Sequence, residues 1–242
     1  MNVRLPADGR LASRRACGLE QPMNTLNFEF AGAALTALGS GALYWAAQDL
    51  LVVSDLHFGK SARLAQVGGA QLPPYETRET LQRLQGDLER TQARCVICLG
   101  DSFDDGAVEA ALPEADLLCL LGLMAGRNWT WIEGNHDPGP VSLGGVHQAS
   151  VSRDGLVFRH IATVAGTGEV SGHYHPKIQL GRRGRACFLL DDRRLILPAY
   201  GVYTGGLRCE SAVLSRLMAP GAQAIVTGPR LARVPMPRRA LA

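Results

Sequence analysis

The sequence predicts an α/β fold, and two features of its apolar pattern indicate this class. Between residues 50 and 136, short apolar runs typical of buried strands alternate with longer segments of helical periodicity. After residue 150, further short apolar runs are separated by turn residues, so the second half is rich in predicted strands. A chain of 242 residues, 46% of them hydrophobic, suits one large domain or two small ones.

The chain ends and a glycine-rich segment flank the predicted α/β region. Residues 1–23 are rich in arginine and lack an apolar signal core, so we predict a flexible extension and no secretory signal. The main domain is predicted to span residues 24–230, followed by a C-terminal tail of residues 231–242. Repeated glycines between residues 24 and 47 favour a hairpin.

The first strong site signal follows the apolar run Leu50–Val53, which predicts a buried strand. Asp55 and His57 come directly after it and are two residues apart, so an extended chain would point both to one side. Carboxylate and imidazole are ligands of divalent metals. A lone D-x-H is also compatible with a plain polar strand end, so both interpretations stay open here.

Two further strand ends repeat this arrangement. The predicted elements are a polar loop at 60–72, a helix opened by Pro73 and Pro74 and running over 75–91, a strand at 95–99, a helix at 113–126 and a strand at 129–132. The first of these strands ends at Asp101, and Asp104 and Asp105 follow in the loop. The second strand leads into Glu133, Gly134, Asn135, His136 and Asp137.

The second half adds histidines in the same position relative to strands. Its predicted strands lie at 155–159, 169–171, 186–190, 195–197, 212–217 and 224–226. The first ends at His160, and the second leads into His173 and His175, which would share a side in an extended chain. Five of the six histidines thus follow predicted strands, whereas His147 is interpreted as an exposed loop residue. Loops at one edge of a sheet commonly hold ligands, so together these residues predict a metal site.

Cysteine usage and charge bear on the cellular compartment of the protein and on what it could bind. Cys95 and Cys98 would face opposite sides of a strand, so they form no metal clip, and we interpret the cysteines as reduced and the protein as cytoplasmic. No apolar run is long enough to span a membrane. The net charge is +3, with Arg182, Arg183 and Arg185 in one predicted turn. Such arginines fit either solvated loops or contacts with nucleic-acid phosphates.

These motifs resemble the signature of the calcineurin-like metallophosphoesterases, D-x-H, G-D-x-x-D, G-N-H-[DE], H and G-H-x-H in this order. The resemblance covers residues 50–176. The segments SDLHFGK, GDSF, GNHDPGP, GHYHP and LPAYGVYTGGL further resemble the bacterial ligase-associated DNA-damage-response endonucleases, up to about residue 207. The implied fold is the four-layer α/β/β/α sandwich of the metallophosphoesterase type, with residues 24–230 as the metallophosphoesterase domain.

The resemblance also implies two divalent metal ions, with Mn²⁺ favoured and Fe or Zn²⁺ as alternatives. One ion would be held by Asp55, His57, Asp101 and His175, and the second by Asp101, Asn135, His160 and His173, with Asp101 bridging. A hydroxide shared by the two ions would attack phosphorus in line with the leaving oxygen. No Ser or Cys nucleophile is then needed.

Further roles are implied for residues around these ligands. His136 would stabilise the transition state or protonate the leaving alkoxide, and Asp137 would orient it. Asp104, Arg182 and Arg183 are candidate substrate contacts. The chain departs from its relatives in carrying Asp-Asp after GDSF, where His-Asp is expected, and in carrying Ile161 after His160, where glycine is frequent.

The leading functional hypothesis is a metal-dependent phosphodiesterase, a nuclease in DNA repair with DNA as substrate and no membrane partner. Ligase, helicase or exonuclease partners are implied by the resemblance alone. One alternative is a phosphoesterase for cyclic or lipid-linked nucleotides, although no inserted apolar lid is visible. An alternative of another class is a non-catalytic scaffold, although such a chain should have lost ligands and none is lost here.

Overall fold

A computed structural model describes residues 24–66, 75–104, 112–139 and 142–238. The predicted extension of residues 1–23, the helix-opening Pro73 and Pro74, and Asp105 lie outside these residues. The helices are α1 (Lys60–Gln66), α2 (Glu76–Thr91), α3 (Glu114–Met124) and α4 (Ala212–Leu217), with a short 3₁₀ helix at Ala46–Gln48. The strands are β1 (Thr25–Phe30), β2 (Ala33–Leu38), β3 (Leu43–Trp45), β4 (Leu50–Val53), β5 (Cys95–Cys98), β6 (Asn128–Ile132), β7 (Val146–Gln148), β8 (Ser150–Arg153), β9 (Leu156–Arg159), β10 (Glu169–Ser171), β11 (Lys177–Leu180), β12 (Arg183–Leu190), β13 (Arg194–Ile196), β14 (Gln223–Val226) and β15 (Ala232–Pro235).

The described strands form two mixed sheets. In the first sheet the order is β1-β2-β3-β4-β5-β6-β7, and β4, β5, β6 and β7 run parallel. In the second sheet the order is β15-β14-β12-β13-β10-β9-β8, with β11 paired to β12. Strand β10 is parallel to both of its neighbours. The parallel strands of the first sheet therefore deliver the segments after β4, β5 and β6 to one edge.

The two sheets stack face to face because the central strands are apolar on both sides. Leu50 and Val52 of β4 pack into a central cluster together with Phe188 and Ile225 of the second sheet. The alternate residues of β4 pack instead against α2 and α3 on the outer face of the first sheet. Because side chains alternate along a strand, the single apolar run of β4 contributes to two separate cores, one on each face of the first sheet.

Helix α4 covers the other outer face. Its Leu214 is fully buried in a third cluster, with Cys187, Leu189 and Ile196 of the second sheet. Together with α2 and α3 on the first sheet, this completes the four layers. The α/β/β/α sandwich is therefore confirmed, whereas the strand order alone would have left the stacking of two sheets undetermined.

Two predicted elements are wrong in type. The run Ala212–Leu217 was expected to be a strand, but it is α4, and the Oγ of Ser211 caps this helix by accepting from the Leu214 amide at 3.3 Å. The expected loop at 60–72 begins with α1. Neither segment has a long enough periodic apolar pattern to reveal a helix, so tertiary packing decides its structure.

Three further predictions, on the C-terminal boundary, Arg183 and His147, differ from the structure. Strand β15 pairs with β14, and Met236 is buried, so the expected boundary at residue 230 falls before an edge strand of the sandwich. Arg183 begins β12 and does not lie in a turn. His147 lies in β7, half-buried, with its Nδ1 atom 3.7 Å from a carboxylate oxygen of Glu133, and is not an exposed loop residue.

Cys95 and Cys98 face opposite sides of β5, as expected, since Cys95 packs at the central cluster and Cys98 within the outer one. The five cysteines in the described residues are free thiols. Among those residues, no helix has the length and apolarity needed to cross a bilayer.

Candidate metal centre

The predicted ligands gather where β4, β5, β6, β9 and β10 end, but the backbone of most of them is not extended. Asp55, His57, Asp101, His173 and His175 all have positive φ, between 44° and 69°. This conformation costs on the order of 1–3 kcal/mol for a non-glycine residue and persists where the surroundings impose it. Asp55 and His57 do converge, but through these turns rather than through the alternation of a strand.

The structure brings six of the predicted ligands into two groups. The first group is Asp55, His57 and His175, and the second is Asp101, His160 and His173. Within each group the donor atoms lie within 4.8 Å of one another. His175 belongs to the first group and His173 to the second, which is the division that the resemblance implied. The extended backbone that would point both to one side is absent here, because both residues have positive φ.

The spacing of the donors fits a divalent cation in each group. In the first group, Asp55 Oδ1 lies 3.1 Å from His175 Nε2, which lies 3.4 Å from His57 Nε2. In the second, His160 Nε2 lies 3.3 Å from Asp101 Oδ2 and 3.2 Å from His173 Nδ1. Donors bonded to one ion at about 2.0–2.2 Å are about 3.0–3.5 Å apart. Facing imidazole nitrogens beside carboxylate oxygens are the donor set of a borderline or hard divalent metal.

Asn135 lies at the edge of the second group. Its Oδ1 atom is 3.0 Å from His160 Nε2, so the amide oxygen faces the same point as the three donors of that group. The residue is exposed, in contrast to the buried carboxylates. An amide oxygen is a suitable further ligand for such an ion.

Two histidines are fixed by acceptors behind them. His57 Nδ1 is 2.8 Å from Asp104 Oδ1, and His160 Nδ1 is 2.8 Å from the carbonyl oxygen of Leu99. Both partners can only accept, so each Nδ1 carries the proton and each Nε2 keeps its lone pair for a cation. These contacts therefore select the tautomer that metal binding requires.

Asp104 is the main correction to the predicted substrate contacts. It is 2% exposed, and its second oxygen accepts a hydrogen bond from Arg63 Nε of α1. Burial alone would raise its pKa, but the hydrogen bonds and charges of His57 and Arg63 lower it to about 2. Asp104 thus orients His57 and is too enclosed to meet substrate directly. Arg63 has no spacing signal in the sequence, because it reaches Asp104 from 41 residues away.

The two ligand carboxylates are held ionised. Burial alone would raise the pKa of Asp55, but the hydrogen bond and charge of His175, with smaller contributions from His160 and Ser54, lower it. The pKa of Asp101 is likewise lowered, against burial, by the hydrogen bond and charge of His160 and by the backbone amide of His136. Charged oxygens are therefore present at both groups at neutral pH.

The pKa values of the two imidazoles in the second group, those of His160 and His173, are shifted in opposite directions. Burial alone would lower the pKa of His160, but the hydrogen bond to Asp101 and the charge of Asp55 raise it. Burial and the charge of His160 lower the pKa of His173. A cation bound at this group would compete with a proton for His160.

Asp137 does not contact the neighbour that it was expected to orient, His136. His136 is exposed, its ring centre is 5.4 Å from that of His57, and its Nδ1 is 3.1 Å from the carbonyl oxygen of Asp104. The Asp137 carboxylate accepts from the amides of Asp101 at 2.9 Å and Ser102 at 2.7 Å, and also from those of Phe103 and Gly134. Asp137 therefore ties two ligand-bearing loops together and does not contact the imidazole that it was expected to orient.

Two glycines allow the ligand loops to approach closely. A Cβ atom on Gly172 would lie 1.7 Å from Ser54 Oγ and 2.5 Å from Asp55 Oδ2. A Cβ atom on Gly134 would lie 2.3 Å from Asp101 Oδ1. Side chains at these positions are therefore excluded by the ligand carboxylates themselves.

The remaining predicted contacts lie away from these groups. Arg182 and Arg183 are exposed at the β11–β12 hairpin, and among the described residues neither guanidinium contacts a predicted ligand. In the LPAYGVYTGGL segment, Tyr200 is fully buried and its hydroxyl donates to Asp87 Oδ2 at 2.7 Å, so it packs inside the fold, whereas Tyr203 is 47% exposed.

A four-layer sandwich with paired carboxylate and imidazole groups at the ends of its strands defines the class of metal-dependent phosphoesterases. The chain belongs to the calcineurin-like phosphoesterase family: residues 49–200, more than half of the chain, match the model of that family. It is similar to the crystal structure of Pseudomonas putida nuclease MPE, at a TM-score of 0.68 and 29% identity, over 87% of this chain and 100% of that one. A comparison with curated proteins returned no match.

Proposed function

We propose that the protein is a two-metal phosphodiesterase that cleaves nucleic acid, with Mn²⁺ as the favoured metal. The observation that supports this most is the pair of adjacent donor groups, each with a charged carboxylate and two imidazole nitrogens facing one point. Membership of the calcineurin-like family and similarity to a nuclease of known structure support the same assignment.

The ligand roles in this proposal follow the two groups. Asp55, His57 and His175 would hold the first cation, and His160, His173 and Asn135 the second, with Asp101 shared between them. Cations bound there would supply Lewis acidity toward the phosphoryl oxygens and lower the pKa of water. Asp104 and Leu99 set the imidazole tautomers, and Asp137 keeps the loops after β5 and β6 in register.

His136 is the residue proposed to act on the substrate. Its imidazole lies in the open beside His57, and the carbonyl oxygen of Asp104 accepts from its Nδ1. The other ring nitrogen is thereby left to face substrate, where the protonated ring would donate to the leaving oxygen. A fixed orientation with an exposed tip is what a general acid at this position needs.

We further propose DNA as the substrate and DNA repair as the setting. The nuclease relative supports the nucleic-acid substrate. Association with a ligase, helicase or exonuclease, and location in the cytoplasm, stay predictions from the sequence, as does the separation of residues 1–23 from the catalytic domain.

The direct test is hydrolysis of bis-(p-nitrophenyl) phosphate with Mn²⁺, in the wild type and in Asp101→Ala. We expect activity that Asp101→Ala lowers at least a hundredfold, because the shared carboxylate is lost. Asp192→Ala, an exposed residue of the β12–β13 turn, is the matched control. No hydrolysis by metal-loaded wild type would contradict the proposal.

The substrate class needs a second comparison. Labelled DNA oligonucleotides and cyclic nucleotides are incubated with the Mn²⁺-loaded protein, and kcat/KM is measured for each. Higher kcat/KM for DNA supports the nuclease. Selective hydrolysis of cyclic nucleotides would assign the same chemistry to a small-molecule substrate.

A further inference from the structure

A cavity of about 740 Å³ lies next to the second donor group, between the loop before β10, the β12–β13 turn and the end of α4. Its volume falls in the range of about 300–1,000 Å³ typical of ligand pockets. Tyr174, the residue between His173 and His175, lines it. The ring centre of Tyr174 is 5.1 Å from that of His173, which is 4.9 Å from that of His160. The cavity therefore adjoins the candidate metal centre through one aromatic side chain.

The described lining of this cavity is strongly positive. It contains Arg193, Arg194, Arg216 and Arg238, and no Asp or Glu. Arg193 donates to the Ala165 carbonyl oxygen at 2.7 Å, Arg194 to that of Thr163 at 2.9 Å, and Arg238 to that of Met218 at 2.9 Å. Carbonyl oxygens fix these guanidinium groups without neutralising their charge.

Some of these donors have no acceptor. The Nε atoms of Arg193 and Arg238 are buried and lack a hydrogen-bond partner among the described residues. Arg216 is exposed, and its guanidinium has no hydrogen bond or ion pair with any described residue. The exposed Arg216 guanidinium is therefore the group at this wall that is open to an anion.

The rest of the wall is apolar and unusually exposed. Val164 is 85% exposed and Val213 is 51% exposed, and both line the cavity together with the half-buried Tyr174 ring. An aromatic ring beside an arginine-bearing wall is the combination on which single-stranded nucleic acids bind, with bases on the ring and phosphates on the guanidinium groups. A base in a duplex keeps its faces stacked and could not reach such a surface.

We propose that this cavity binds an unpaired nucleotide of a single-stranded nucleic acid, next to the phosphate at the metal centre. Its base packs on Tyr174 and the exposed valines, and its phosphate binds Arg216. This inference rests on the proposed function, because it says that the nucleic acid cleaved at the metal centre is single-stranded. The nucleotide-binding step itself does not require metal.

The test measures binding without hydrolysis. Fluorescence anisotropy with a labelled thymidylate oligomer of about twelve nucleotides is recorded in EDTA for the wild type, Arg216→Glu and Arg230→Glu. Arg230 is an exposed arginine outside the cavity and serves as the charge-matched control. We expect Arg216→Glu to weaken binding about tenfold or more and Arg230→Glu less than twofold. Equal effects of the two variants would overturn the proposal.

Salt dependence tests the phosphate contact separately. Loss of one phosphate contact with a single strand should reduce the slope of log K against log salt by about 0.7. We expect this reduction in Arg216→Ala. An unchanged slope would remove Arg216 from the proposed contact and overturn that part of the binding mode.

A third comparison tests the base contact. Tyr174→Leu should weaken thymidylate binding about fivefold or more, because base stacking on an aromatic ring is lost, whereas Tyr174→Phe should retain it. An abasic oligomer should bind the wild type as weakly as thymidylate binds Tyr174→Leu. Equal binding of abasic and thymidylate oligomers to the wild type would contradict a base-binding cavity.

The outcomes separate this inference from the proposed function. If the wild type hydrolyses bis-(p-nitrophenyl) phosphate but binding is insensitive to Arg216→Glu, the cavity assignment fails and the phosphodiesterase stands. If binding depends on Arg216 and Tyr174 but no phosphodiester is hydrolysed, the nucleotide site stands and the catalytic proposal fails. Tighter binding of duplex than of single strand would overturn the assigned strand state.

Discussion

The Nδ1 atom of His57 lies 2.8 Å from Asp104 Oδ1, and this contact joins the first donor group to helix α1 through Arg63 on the other carboxylate oxygen. A buried carboxylate behind an imidazole fixes its tautomer and raises its basicity toward a metal. Asp104 therefore acts on the metal centre from behind His57, although relatives were expected to carry histidine at this position.

Removal of this carboxylate should weaken metal binding. In Asp104→Ala we expect a 10-fold to 100-fold loss of Mn²⁺ affinity, because the orientation of His57 is no longer fixed. Isothermal titration with Mn²⁺ measures the loss, and Asp104→Asn, whose amide oxygen can still accept a hydrogen bond from His57 Nδ1, should recover part of it. Equal affinities in the wild type and Asp104→Ala would show that His57 is positioned by other contacts.

A methyl group at Gly172 should disrupt the first donor group. The added Cβ would overlap Ser54 Oγ and Asp55 Oδ2, so the loop before His173 must move. We expect Gly172→Ala to lose at least a hundredfold in kcat/KM for bis-(p-nitrophenyl) phosphate. Gly205→Ala is the matched control, because a Cβ there meets no atom within 4 Å. Similar activity of the two variants would be incompatible with this packing.

Replacement of Asp137 should destabilise the fold as well as the site. The pKa of this carboxyl is raised, mainly by burial, while the amide hydrogen bonds from Phe103 and Ser102 act in the opposite direction. In Asp137→Asn, amide donors meet an NH₂ group, and we expect a loss on the order of 3 kcal/mol in the free energy of unfolding. Urea denaturation measures it, with Asp192→Asn as the exposed control. A loss no larger than in the control would mean that the two loops are held together by other contacts.

Glu169 should make stability depend on pH in the acid range. It is 3% exposed and is bound by Thr163 and by Arg159, whose Nη1 lies 2.9 Å from its carboxylate. Burial would raise its pKa, but the Thr163 and Arg159 contacts lower it from the ordinary value of 4.5. A lowered folded-state pKa means that its contribution is present above about pH 4.5 and is lost as the pH falls below that value.

The variant Glu169→Gln isolates this contribution. Between pH 6 and pH 3.5, the urea midpoint of the wild type should fall further than that of Glu169→Gln, because the variant has no carboxyl to protonate. Glu89→Gln, on the exposed side of α2, controls for loss of a glutamate. Parallel decreases in the wild type and Glu169→Gln would exclude this carboxylate as an acid-sensitive contact.

The sequence was most informative where a short apolar run ends in ligand residues. Strands β4, β5 and β6 were predicted from such runs, because burial on both faces leaves a continuous apolar segment. The donors after them converge because parallel strands end at one edge. The division of His173 and His175 between two groups was not visible in their spacing, since it depends on left-handed turns.

Other features depend on contacts that no local pattern encodes. Arg63 and Asp104 are brought together by the packing of α1, and Asp137 bonds amides that lie more than thirty residues before it. The short α4 was taken for a strand because a six-residue segment with four apolar residues fits either element, and only burial of Leu214 against the second sheet decides. The stacking of two sheets came from the family resemblance rather than from strand order.

The most direct test of a two-cation centre is the metal content of the chain. The protein is purified without chelator, dialysed against Mn²⁺ and then against metal-free buffer, and analysed by inductively coupled plasma mass spectrometry together with protein concentration. About two equivalents of transition metal per chain are predicted for the wild type, falling to at most one in Asp101→Ala, whose carboxylate would serve both ions. Fewer than one equivalent in folded wild-type protein would contradict the two-metal centre.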